Sequence, residues 1–175
     1  GLIVGPSASG KSTLAKQLFG ESALQPPAWP TDRAVIDCFG ELPTRQITSM
    51  LTAVGFSSPP SWIKPYSVLS GGERFRCDLA RALAAHVNAD DEGETRESPD
   101  TTSAPLVVFD EFTSVVDRTV AQVGSAALAK AIRGDAVRCR FVAVTCHYDV
   151  AEWLEPDWVL DMASRRFPRR RLRRP

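Results

Sequence analysis

The sequence predicts an α/β fold, a mostly parallel sheet with helices on its faces. Three observations carry this. Short apolar runs alternate with stretches of helical periodicity, which is the pattern of strands joined by crossover helices. Most of the chemically interesting stretches follow directly on such a run, where sheets of this kind hold their ligands. The chain has 175 residues and is 43% hydrophobic, which is enough to bury a core of one domain without a disulfide or metal staple.

The elements follow in order. Leu2-Ile3-Val4 reads as a buried strand, ended by Gly5. From Lys11 the pattern turns helical, with Leu14, Ala15, Leu18 and Phe19 on one side and Gly20 as the stop. Residues 25–31 hold three prolines and form a loop. Arg45 to Val54 is a helix closed by Gly55, and Ser57 to Pro65 is a proline-rich connection. Glu73 to Val87 is a helix with Phe75, Leu79, Ala82, Leu83 and Val87 on its apolar side. Residues 88–104 are too polar to order themselves and read as a disordered insertion. Leu106 to Phe109 is a second strand, Val120 to Ile132 a helix closed by Gly134, and Arg140 to Thr145 a third strand. A short helix at Val150–Leu154 and a last strand at Trp158–Leu160 precede an Arg-rich tail, 165–175. There are no internal repeats.

The charges balance, 21 basic against 21 acidic, so net charge argues for no polyanionic partner. They are unevenly placed, since seven of the last eleven residues are Arg. That tail is able to bind nucleic acid or an acidic partner by counterion release, although a solvated terminus has the same composition. No apolar run approaches the ~20 residues of a membrane helix, and no signal peptide is visible. The chain opens on Gly1, inside a strand-like run, which reads as a domain cut from a longer chain. Cys38, Cys77, Cys139 and Cys146 have no metal-ligand spacing. They read as buried free thiols, as in a reducing cytoplasm.

Four stretches carry chemistry. Gly5-Pro6-Ser7-Ala8-Ser9-Gly10-Lys11-Ser12-Thr13 fits G-x-x-x-x-G-K-[ST] between a strand and a helix. Its glycines let backbone N–H groups surround a phosphate at a positive helix end. Lys11 would reach the β- and γ-phosphates, and the Ser12 hydroxyl would ligate Mg²⁺. As a buried strand, Leu106–Phe109 would deliver Asp110 beside the phosphate loop to hold the Mg²⁺ shell and Glu111 to orient and deprotonate the attacking water. Leu69-Ser70-Gly71-Gly72-Glu73 opens a helix with capping-box spacing. A cap does not need two glycines, and these free a second set of N–H groups for an anion. His147 lies just past the third strand. A lone histidine is usually structural, but this position suits a hydrogen bond to a γ-phosphate. His86, late in a helix, reads as structural.

Together these residues resemble the ATP-binding cassette (ABC) ATPase superfamily. Gly5–Thr13 resembles its phosphate loop, Leu69–Glu73 its signature motif (with Glu where many members have Gln), and Arg74–Leu83 the helix after that motif. Leu106–Glu111 resembles the magnesium strand, Ser114-Val115-Val116-Asp117 the D-loop, and His147 the switch histidine. The words around Asp110–Arg118, Cys146–Val150 and Trp153–Trp158 further resemble a small group of soluble prokaryotic ABC-type ATPases, some joined to a predicted acetyltransferase domain. The resemblance implies a P-loop NTPase fold with a reduced helical subdomain, and a domain at 1–164 followed by the tail. It also implies ATP and Mg²⁺ as cofactors and a head-to-tail homodimer formed on ATP. In that dimer Glu111 and His147 would be catalytic, Ser12 and Asp110 would hold the metal, and Ser70, Gly71, Gly72, Glu73 and Asp117 would act on the partner's nucleotide. Hydrolysis would release the clamp.

The chain departs from the family in three places. The aromatic residue that usually stacks on adenine is expected to be absent. The stretch between Lys11 and Ser70 is short, and the glutamine loop has only Gln25 and Gln46 as candidates. The short stretch argues against the competing reading, the engine of a membrane transporter with a partner domain. An ATP-regulated nucleic-acid module and an inactive remnant are the other readings. The intact Lys11, Asp110, Glu111 and His147 speak against the last.

Overall fold

A computed structural model of the chain describes residues 1–20, 28–84 and 104–168. The expectations for Gln25, His86, Val87, residues 88–103 of the insertion and the tail beyond Pro168 lie outside the described residues, whereas Ala104, expected as the insertion's last residue, is described and buried. Among the described residues, four strands form one sheet: β1 (Leu2–Val4), β2 (Leu106–Phe109), β3 (Arg140–Thr145) and β4 (Val159–Asp161). The order is β2-β3-β1-β4, and every pairing is parallel. Val4 pairs with Thr145, and Phe109 with Ala143. The carboxyl ends of β1, β3 and β2 therefore stand side by side with β3 in the middle.

Alternate side chains of each strand point to opposite faces. Ile3, Val108, Val142 and Val144 meet Ala15 of α1 (Lys11–Phe19) on one face. Leu2, Val4, Val107, Phe141 and Ala143 belong to the larger core on the other. That core is completed by α2 (Thr44–Ala53), α4 (Gly71–Ala84), α5 (Arg118–Arg133) and α6 (Val150–Leu154). The helix after β1 thus covers one face and the helix after β3 covers the other. The crevice between the ends of β1 and β3 is a topological switch point, the usual ligand position in such sheets.

Several boundaries differ from expectation for local reasons. The proline-rich connection contains a one-turn helix, α3 (Pro59–Trp62), because proline is at home in a first turn, where its missing N–H is not needed. α4 begins at Gly71, since Ser70 is already its cap. α5 begins at Arg118, because the Asp117 side chain accepts from the Val120 N–H at 3.0 Å. The last strand is shifted to Val159–Asp161. Of the expected apolar side of α1, only Ala15 is fully buried, and Leu18 is 59% exposed. Two cysteines, Cys38 and Cys77, are buried and all four are free; Cys139 and Cys146 are half-buried rather than fully enclosed. Past β4 the chain doubles back, and the Val159 and Asp161 N–H groups donate to Pro168 and Arg166 carbonyls. No described helix is long and apolar enough to cross a membrane.

Candidate nucleotide site

β1 ends in a turn that only particular residues allow. Gly5 is buried, and a Cβ there would lie 2.9 Å from the Met162 Cβ and 3.0 Å from the Ser9 hydroxyl. Met162 is close because its N–H donates to the Val4 carbonyl at 2.8 Å. The loop then turns tightly, with the Ser9 N–H donating to the Pro6 carbonyl and with Ala8 and Gly10 left-handed at φ 60° and 86°. Nothing crowds Gly10, so its conformation, not space, requires glycine. Lys11 folds back across the loop, its Nζ donating to the Pro6 carbonyl at 2.7 Å. The first turn of α1 holds no acid, so the positive end of the helix is not neutralised locally. Ser12 is half-buried there, and Thr13 is exposed.

β2 delivers Asp110 and Glu111. The Glu111 N–H donates to Asp110 Oδ1 at 2.9 Å, and Glu111 and Thr113 are left-handed at φ 52° and 66°. Left-handed backbone is costly for both residue types, most of all for β-branched Thr113. It is held by Phe112 between them. The Phe112 N–H donates to the Val144 carbonyl of β3 at 2.9 Å. Its ring is fully buried, edge-on to Phe75, Phe109 and Phe141 at 5.6, 5.8 and 5.7 Å. Phe112 therefore pins the turn that leaves Glu111 exposed and Asp110 half-buried. The sequence reading missed this residue. Its one signal is an aromatic side chain directly after two acids.

β3 ends at the buried Thr145, whose hydroxyl accepts from the His147 N–H at 3.2 Å. His147 is half-buried. The turn that carries it is anchored on both sides. The Tyr148 hydroxyl donates to Asp161 Oδ1 at 3.0 Å, and Asp149 pairs with Arg118. The Arg118 guanidinium hydrogen-bonds the Asp149 carboxyl and holds it below its usual range. The phosphate-loop residues, Asp110, Glu111 and His147 are thus brought to three neighbouring strand ends. Ser12 and Asp110 offer a hydroxyl and a carboxylate. Hard oxygen donors in that small number suit Mg²⁺, which completes its shell with water and phosphate oxygens.

The Ser70–Glu73 stretch lies elsewhere, at the start of α4 on the opposite face of the sheet from α1. The capping box is formed. The Glu73 N–H donates to the Ser70 hydroxyl at 3.3 Å, and the Ser70 N–H and hydroxyl donate to Glu73 Oε2 at 2.9 and 2.8 Å. Buried Ser61 donates to the other oxygen at 2.8 Å. The Ser70 N–H bond is the main reason that the Glu73 carboxyl titrates below its usual range. The two glycines differ. A Cβ on Gly72 would sit 3.1 Å from a Val120 methyl of α5, whereas one on Gly71 would meet only the Val115 carbonyl at 4.0 Å. Asp117 is exposed at the start of α5 beside this stretch. Gln46, the described glutamine-loop candidate, is exposed in the first turn of α2.

A second feature supports this helix end. Asp78 of α4 accepts from the Trp29 indole N–H at 2.6 Å and the Tyr66 hydroxyl at 2.8 Å. The two rings stack at 4.6 Å. Arg81 lies over Trp29 at 4.5 Å and Arg74 over Tyr66 at 5.6 Å. Burial raises the Asp78 carboxyl above its ordinary value, against the lowering by these bonds. Burial and the Asp78 bond together push the Tyr66 phenol up. The clamp ties the chain before the signature-like stretch to the helix after it.

No family model matches the sequence, and no curated protein matches it. Solved structures do match the fold. The dimeric bacterial ABC transporter cassette MJ0796 superposes with a TM-score of 0.62 at 16% identity, covering 91% of this chain and 79% of that one. The same cassette in a dimeric post-hydrolysis state bound to ADP and Pi has a TM-score of 0.63 at 16% identity with the same coverage. A putative metal-chelate type ABC transporter in an inward-facing conformation has a TM-score of 0.64 at 17% identity, covering 95% of this chain and 69% of that one. The chain has the P-loop fold of ABC ATPase cassettes.

Proposed function

We propose that this chain binds ATP with Mg²⁺ and hydrolyses it, as an ABC-type nucleotide-binding domain that closes head to tail on a second copy of itself. The observation that carries this reading is the meeting of three strand ends. The phosphate loop leaves β1, Asp110 and Glu111 leave β2, and His147 leaves β3, with β3 between the other two. In this reading Gly5–Thr13 hold the triphosphate, with loop N–H groups and Lys11 matching its charge. Ser12 and Asp110 hold the metal, which neutralises charge on the phosphates. Glu111, in the turn pinned by Phe112, takes the proton of the attacking water. His147 donates to the γ-phosphate.

The second anion site supports the dimer. α1 and α4 pack on opposite faces of one sheet, so a second copy is the natural source of an α4 terminus for the triphosphate on α1. Ser70, Gly71, Gly72 and Glu73 then act in trans, with Asp117 beside them at the seam. Glu73 is already committed to Ser70 and Ser61, which leaves the Gly71 and Gly72 N–H groups for phosphate. Hydrolysis splits the shared ATP into ADP and phosphate, which breaks the bridge between the two copies and opens the clamp. We assign residues 1–164 to this domain and 165–175 to a basic tail. Four free thiols fit a reducing compartment such as the cytoplasm.

The test is the solution mass of Glu111→Gln with and without Mg-ATP. The variant is expected to shift from monomer to dimer only with Mg-ATP, and a monomer that retains no ATP in either condition refutes the reading. A second reading, the nucleotide-binding subunit of a transporter, is favoured by the likeness to transporter cassettes. It requires the chain to co-purify with a membrane-embedded partner.

A further inference from the structure

Arg118 is the first residue of α5, next to Asp117, and no acid lies in that first turn. A cation at a helix N-terminus is electrostatically disfavoured, so the helix itself gives no reason for an arginine there. Its side chain is nevertheless engaged through Nε and Nη2, while Nη1 is buried without a hydrogen-bond partner. Nε donates to Asp149 Oδ2 at 3.0 Å, Nη2 donates to Asp149 Oδ1, and the guanidinium carbon lies 4.8 Å from the centre of the Trp153 ring. Asp149 precedes α6 at the position where an aspartate commonly caps the helix. Its side chain makes no cap bond and turns to Arg118 instead. Both residues give up their ordinary local role for this contact. Stability alone is a poor reason for it, because the two side chains are 40% and 44% exposed, and ion pairs that exposed contribute little.

The position of the contact is more informative. Asp149 is two residues past His147, and Arg118 is one residue past Asp117. At the far end of the same helix pair, Arg133 of α5 donates to the carbonyls of Leu154 and Glu155 at 2.9 and 3.0 Å. α5 and α6 are therefore joined at both ends. Only the Arg118 end touches the turn that carries His147. Gly72 of α4 rests on Val120, two residues further along α5.

We propose that Arg118 and Asp149 are positioning residues that couple the Asp117 loop to His147. Any displacement of the Asp117 loop is transmitted through the bidentate pair to the histidine turn. Occupation of the Asp117 and Ser70–Glu73 surface by a second copy thereby sets the His147 ring in the same chain. This rests on the proposed function, in which His147 meets the γ-phosphate and Asp117 lies at the seam.

The test uses the full chain and two independent readouts, ATP turnover and the NMR signals of the His147 ring without nucleotide. Arg118→Lys keeps the charge but loses the fork, and Asp149→Asn loses the charge. Each is expected to lower kcat about ten-fold, the scale of a coupling contact, with KM for ATP changed less than about two-fold. Each is also expected to shift the His147 ring signals. The Arg118→Asp, Asp149→Arg pair is expected to recover part of both. Arg133→Ala, which cuts the other end of the helix pair, is expected to leave the His147 signals in place. Unchanged His147 signals in Arg118→Lys and Asp149→Asn overturn the proposal, as does a kcat loss no larger than that of Arg133→Ala. A wild-type chain that turns over no ATP refutes the proposed function instead, and the ring signals still decide the coupling.

Discussion

Phe112→Ala removes the pin under the Glu111 turn. The ring has no exposed surface and meets three other phenylalanines edge-on at 5.6 to 5.8 Å. Deleting a fully buried phenylalanine costs about 3–5 kcal/mol, of which each ring pair supplies ~0.5–1.5 kcal/mol beyond its buried area. With a urea m-value of about 2 kcal/mol/M, the unfolding midpoint is expected to fall by about 2 M. Phe112→Leu keeps most of the volume, so it is expected to cost only about 1–2 kcal/mol and to remain folded. That variant reads the functional half of the argument. The left-handed backbone at Glu111 and Thr113 is strained and needs a well-packed anchor. ATP turnover of folded Phe112→Leu is expected to drop at least ten-fold, on the order of 1.4 kcal/mol of lost transition-state stabilisation. KM is expected to hold, because the phosphate loop leaves a different strand. A midpoint loss below about 0.5 M for the alanine variant would mean that the ring is not enclosed. Normal turnover of the leucine variant would mean that the turn does not depend on it.

The two glycines at the start of α4 should separate stability from function. Gly72→Ala drives a methyl against Val120, at 3.1 Å, and is expected to cost about 1–3 kcal/mol in urea unfolding. Gly71→Ala meets nothing close and is expected to gain up to ~1 kcal/mol of helix propensity while weakening the ATP-trapped dimer of Glu111→Gln. Asp78→Asn leaves one of the Trp29 and Tyr66 donors unpaired, at about 1–3 kcal/mol near neutral pH. Because the folded Asp78 carboxyl titrates above its unfolded value, its contribution is present below the unfolded value and is lost as pH rises through the folded one. The gap between wild type and Asp78→Asn in urea midpoint is therefore expected to be largest at the acid end. A gap that widens with rising pH contradicts the burial of Asp78. Burial pushes the Cys77 thiol up to about 12 and Cys139 up to about 11. A thiol reagent at pH 8 is accordingly expected to label half-buried Cys146 before either, and Cys146→Ser to remove the first phase.

Features set by nearest neighbours were legible in the residue order. The glycine spacing of Gly5–Thr13, the apolar runs and the Ser70–Glu73 cap are each contained within a few residues, and over such a span local backbone preference carries much of the outcome. The glycine turn between β1 and α1, the first three strands and the Ser70–Glu73 cap appear where they were expected, while the last strand is shifted by one residue. Asp117 was legible as a motif residue, but its cap on α5 was not. The tertiary fold sets β3 between β1 and β2, so the strand that leads to His147 lies between those that lead to the phosphate loop and Glu111. It alone placed α1 and α4 on opposite faces, so that two helix ends that look alike in sequence serve different molecules in the proposed dimer. The Phe112 cluster, the Arg118–Asp149 pair 31 positions apart and the Trp29–Asp78 bond 49 positions apart were equally hidden. Contacts at that separation depend on how the whole chain closes and packs. A lone arginine or phenylalanine carries no local sign of the partner it will meet.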